Sequence, residues 1–127
     1  MALLPSNEEA QLVGDIAYYL GKALAIVRRL SATERQSDDE AYFAARYAVQ
    51  CAIEACVKLE GGKKTKGRFP SLFPDFDLRL IKRVADSGRH DYARSTSEAF
   101  WITLETLLSD LHSASINLRD AKIDSQR

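Results

Sequence analysis

Histidine, cysteine and proline are scarce in this chain: two, two and three among 127 residues, alongside six glycines. Two cysteines, Cys51 and Cys56, make no disulfide framework and suit a reducing interior. So little Gly and Pro excludes collagen-like and Pro-rich low-complexity chains. No apolar run approaches the ~20 residues of a membrane span, since charges break each hydrophobic stretch. The opening MALLPSNEEA has no basic leader, which predicts no signal peptide and makes the cytoplasm the expected address. Strand alternation, internal repeats and inter-domain linkers are absent, as is a GxSxG elbow. Gly61-Gly62-Lys63-Lys64-Thr65 imitates the end of a phosphate loop, but it lacks the earlier glycine and follows a helical pattern instead of a strand.

What is present describes one globular domain. Hydrophobic residues make up 46% and charged residues 28%, a balance that excludes a disordered chain. The formal net charge is zero, yet the charges are separated. Between Lys58 and Arg94 stand ten Lys and Arg against five Asp and Glu, so that segment carries +5 and the rest carries −5. A local basic field on a neutral protein suits a polyanion held at one place; a solvated Lys-rich loop is the plainer alternative.

The periodicity predicts helices throughout. Ser6 and Glu9 have capping-box spacing, and Leu12, Ile16, Tyr19, Leu20, Ala23, Val27 and Leu30 then form one stripe of a long helix. Ser37 and Glu40 offer a second box before a helix ending at Gly61-Gly62, with Phe43, Tyr47, Cys51, Ala55 and Leu59 spaced by fours. Small apolar residues surround much of that helix. This predicts a two-fold homodimer that buries Ala44, Ala48, Cys51 and Ala52. Pro70 and Pro74 argue against continuous helix in the next stretch, where Phe69, Phe73 and Phe76 are expected to pin the chain to the core. A shorter helix is expected over 77–87 with Leu78, Ile81 and Val84 inward, ended by Gly88. Ser95 and Glu98 form a third box, opening a last helix that runs to about Leu118. The expectation is a single all-α domain over 1–127: a bundle of four main helices, with its core over 8–118 and a fraying polar tail over 119–127.

The catalytic inventory is small. His112 lies among Leu108, Leu111 and Ser115 and reads as a surface or packing residue. Glu54 reads as an exposed or helix-paired carboxylate, and the two cysteines as small core residues. An isolated His90 near Asp91 makes no zinc set, so neither a metal nor a cofactor is expected. His90 does follow Arg83 by seven residues, with Arg89, Asp91, Tyr92 and Arg94 nearby. Arginine is always cationic and histidine titrates near neutrality, so the pair offers phosphate binding and proton transfer. RNA cleavage by its own 2′-hydroxyl needs those two services; a purely structural Arg and His remain the alternative.

Arg83-Val-Ala-Asp-Ser-Gly-Arg-His90-Asp-Tyr92, followed by a helix with Phe100-Trp101, resembles the HEPN superfamily, and within it the HepT-type toxins of prokaryotic toxin–antitoxin pairs. The stretch from Arg46 to Leu59 is similar to that family's second helix, which helps form its dimer. The resemblance covers roughly residues 8–118. It implies a metal-independent endoribonuclease toxin working as a homodimer, with Arg83 and His90 catalytic, Arg83 on the phosphate and His90 as the acid/base. From their charge and position, the neighbouring Lys82, Arg89 and Arg94 are expected to hold substrate phosphate. The resemblance further implies that a partner nucleotidyltransferase antitoxin attaches AMP to Tyr92. Val84 stands where the family has a polar residue after the Arg, and Ser87-Gly88 with Arg89 lengthens the motif. A catalytically silent HEPN module that binds a nucleotide or the nucleotidyltransferase is therefore the alternative.

Overall fold

A computed structural model describes residues 3–61, 67–83 and 95–126, and among these the fold is all-α with no strand. Helix α1 (Asn7–Arg29) begins at the expected capping box: the Ser6 side chain accepts from the Glu9 N–H, and the Glu9 carboxylate accepts from the Ser6 N–H. Glu8 and Glu9 in its first turn and Arg28 and Arg29 in its last complement the helix dipole. Its buried stripe is Val13, Ile16, Ala17, Leu20, Ala23, Leu24 and Val27, which leaves Leu12 and Tyr19 of the expected stripe half-buried. By length and composition alone α1 could also cross a membrane, contrary to the expectation that charges break every apolar stretch. From residue 10 to 27 only Asp15 and Lys22 are charged. Its apolar side is packed on the helices α3 and α7 described below.

The second helix expected from sequence is preceded by an extra one. Ser31 and Glu34 form the second capping box and start α2 (Ala32–Ser37), whereas the expected pair, Ser37 and Glu40, forms none. Ser37 instead donates its hydroxyl to the Thr33 carbonyl, and Asp38 starts α3 (Asp39–Gly61) by accepting from the Ala41 N–H at 3.0 Å. On α3 the stripe spaced by fours does not stay on one face. Each four-residue step advances ~400°, so four steps rotate the stripe by ~160°. Leu59 is accordingly buried, while Phe43 and Tyr47 are each 70% exposed. Ala48 and Ala52, expected in a dimer interface, are buried inside this chain against α1; Ala44 is exposed and Cys51 half-buried.

The last helix is one long rod: α6 (Ser95–Thr103), a π-helical turn (Leu104–Leu108) and α7 (Ser109–Ser125). The tail expected to fray is thus helical to Ser125. Leu111 and Ser115 are buried, Leu118 packs against the core, and Gln126 reaches Asn7 at the start of α1 at 3.4 Å. Packing on α1 supplies the stability that its polar sequence lacks as an isolated helix. The Ser95 side chain lies outside the described residues, so the third capping box does too. Trp101, fully buried, donates its indole N–H to the Arg35 carbonyl at 2.9 Å, and Arg35 pairs with Glu105 of the π-turn. Those two bonds fasten α2 across the long rod.

Between the long helices the chain turns twice. Gly67, at φ 66°, starts α4 (Arg68–Leu72); this left-handed geometry suits glycine, and its N–H returns to the Glu60 carbonyl at 2.7 Å. Pro70 fits inside α4 because the first turn has no N–H bonds to lose. Phe69 and Phe73 stack at 5.1 Å between ring centroids and are buried, with Phe76 edge-on to Phe73, so the three rings pin this segment as expected. Residues 78–83 are helical and constitute the described part of α5.

Candidate functional site

The described part of the site is the outer face of α5. Asp77 caps it, its carboxylate accepting from the Arg79 N–H at 2.9 Å and its carbonyl from the Ile81 N–H at 3.2 Å. Ile81 is fully buried and Leu78 half-buried, which fixes the rotation of the helix. Arg79, Lys82 and Arg83 are therefore held outward, and all three are exposed. Their spacing of three and four places them on neighbouring turns of one face. Among the described residues none of the three makes an ion pair, so the cationic face is available to an anion.

Of the residues expected to carry function, Arg83 and Lys82 are thus placed together. Arg89, His90, Tyr92 and Arg94 lie outside the described residues, as does Val84. Arg79 was missed by sequence reasoning although the signal was present: it stands three residues before Lys82 and four before Arg83, and Ile81 is the apolar residue that turns all three outward. The same three cations suit phosphate groups, arginine as a bidentate fork and lysine as a point charge.

The other candidates take structural roles. His112 is half-buried with its Nε2 against Gly21, only 3.2 Å from where a β-carbon would sit. Burial, then the charges of Arg28 and Arg119, lower its pKa, so it is a neutral packing side chain at pH 7. Glu54 is exposed. Among the described residues no three His, Cys, Asp or Glu side chains gather as a metal site.

The two thiols differ sharply. Cys56 is fully buried, and burial pushes its thiol up to about 12, whereas Cys51 is half-buried at the surface of α3. Only thiolate reacts with an alkylating reagent. At pH 8 one thiol per chain, Cys51, will react with iodoacetamide in the native protein, and a second will follow only in denaturant. Mass spectrometry of the labelled peptides reads this directly; modification of native Cys56 as fast as Cys51 would contradict the placement.

Compared with models of protein families, with curated proteins and with solved structures, this chain matches none.

Proposed function

We propose that the chain is a metal-independent endoribonuclease of the HEPN type, a toxin acting in the cytoplasm as a homodimer. One observation supports it most: α5 presents Arg79, Lys82 and Arg83 outward and leads directly into the segment that holds Arg89, His90, Tyr92 and Arg94. In this mechanism His90 takes the proton from a ribose 2′-hydroxyl, and the 2′-oxygen attacks the adjacent phosphorus. The bond from phosphorus to the 5′-oxygen breaks, that oxygen accepts a proton, and a cyclic phosphate remains. Arg83 offsets the charge that builds on the phosphate in the transition state. The test is cleavage of total RNA in EDTA by the chain and by its His90→Ala variant. Val84 favours a second reading, a silent module that holds a nucleotide or a partner nucleotidyltransferase. In either reading AMP on Tyr92 would add a negative phosphate beside Arg89 and Arg94 and oppose RNA entry.

The homodimer proposal now has a different face from the one expected. Phe43, Ala44 and Tyr47 line the exposed side of α3, with Cys51 at its edge. Two such helices packed antiparallel about a two-fold axis at Tyr47 would cover this apolar patch with its own copy. Light scattering at micromolar concentration will give twice the 14.2 kDa chain mass, and Tyr47→Glu will return it to one. A wild-type mass of one chain would defeat the dimer.

A further inference from the structure

A cleft of about 480 Å³ opens where the end of α3, α4 and the first turn of α5 meet. Its volume falls within the range of small-ligand sites. Three kinds of chemistry converge on it. Pro70 and Phe76 supply an apolar wall, with Phe76 half-buried and held edge-on by Phe73. Arg79 and Lys82 supply positive charge at the rim, and both are exposed. Glu60 supplies a half-buried carboxylate that carries no ion pair among the described residues. The backbone bond from Gly67 to Glu60 closes the chain here, and a Glu60 carboxylate oxygen lies 3.6 Å from the β-carbon position of Gly67. The other acid in the cleft, Asp77, is already engaged in capping α5.

We propose that this cleft binds a guanosine nucleotide, with its base against Phe76 and Pro70, its Watson–Crick edge on Glu60 and its phosphate on Arg79 and Lys82. Aromatic and proline faces stack bases without regard to identity. Identity comes from Glu60. Guanine presents two parallel N–H donors, at N1 and N2, that match the two oxygens of a carboxylate; adenine, cytosine and uracil cannot present that pair. The inference deepens the ribonuclease proposal and rests on it for the source of the nucleotide. Arg79 and Arg83 are one turn apart on α5, so a strand anchored here by one guanosine has its neighbouring phosphate within reach of Arg83.

The experiment is a titration of the full chain, followed through its backbone amide resonances. Its probes are GMP, AMP, inorganic phosphate and two 2′-O-methylated hexanucleotides, all-uridine or with one guanosine. GMP and the guanosine hexamer will shift the amides of 60 and 76–82. Glu60→Gln will weaken GMP roughly tenfold relative to AMP, and the pair Arg79→Gln with Lys82→Gln will weaken every probe. A response to GMP alone makes a free nucleotide the ligand, and a response to the guanosine hexamer makes it a strand; each supports the site. No shift at these amides overturns the proposal, as does a phosphate response equal to that of GMP, or an unchanged preference in Glu60→Gln. None of these readouts needs His90 or strand scission. Cleavage without guanosine binding removes this inference alone, and binding without cleavage removes the ribonuclease proposal alone.

Discussion

Replacing His90 with alanine will lower RNA cleavage about 10²–10⁴-fold, the usual worth of a positioned proton-transfer group. The parent activity will persist in EDTA, because attack by the 2′-hydroxyl draws on a base and a fixed cation that the chain itself carries. Arg83→Lys will be damaging as well. A lysine restores the charge but not the planar fork that grips two phosphate oxygens at once. Arg83 is exposed at the end of the described α5, so its substitution does not touch the core, and thermal unfolding of the Arg83 variant should match that of the parent. Cleavage that survives His90→Ala but stops with chelator would assign the activity to another site.

Glu9→Gln will destabilise the fold by about 2–3 kcal/mol, lowering the melting temperature by roughly 10 °C for a chain of this size. Glu9 is a buried carboxylate with three donors: the Ser6 N–H at 2.8 Å and Arg68 through Nε at 2.6 Å and Nη2 at 3.1 Å. It caps α1 and ties α4 to it with the same two oxygens. Glutamine keeps the shape but turns an amide N–H₂ toward donors. The guanidinium is left unpaired, its side chain 31% exposed against 4% for Glu9, so the loss stays below that of a fully buried pair. Acid will reveal the charge. The Arg68 hydrogen bond, opposed by burial, holds the Glu9 pKa below its ordinary 4.5. A depressed pKa means that stability is complete above the ordinary value and is lost as pH falls through the folded one. The parent and Glu9→Gln melting curves will therefore converge as pH falls below 4.5 and through the depressed folded value. A gap that stays constant down to pH 2.5 would assign the loss to shape instead of charge.

Sequence legibility followed the reach of each interaction. The Ser6–Glu9 box was readable because both bonds span three residues and need nothing else. Ser31–Glu34 and Ser37–Glu40 have the same spacing, and the choice between them fell to a distant pairing. Arg35 is held to Glu105 and Trp101, seventy and sixty-six residues away, and this docks α2 with Ser31 as its cap. Only part of the described cationic region was likewise legible. Arg83 was identified from the motif and Lys82 as the cation beside it, whereas Glu60 and Phe76 join Arg79 only because Gly67 folds α4 back onto the end of α3.

By itself the sequence determined the all-α class, the start of α1, the end of α3 at Gly61 and the three phenylalanines that anchor the turn, all consequences of local hydrogen bonding and apolar content. Tertiary structure alone decided the rest. Phe43 and Tyr47 face outward because α1 takes the alanine side of α3, where small side chains let the two helices approach. The polar end of α7 stays helical because α1 offers it a surface to pack on. Periodicity states that a helix has an apolar side, but which residues are covered depends on the neighbour that arrives.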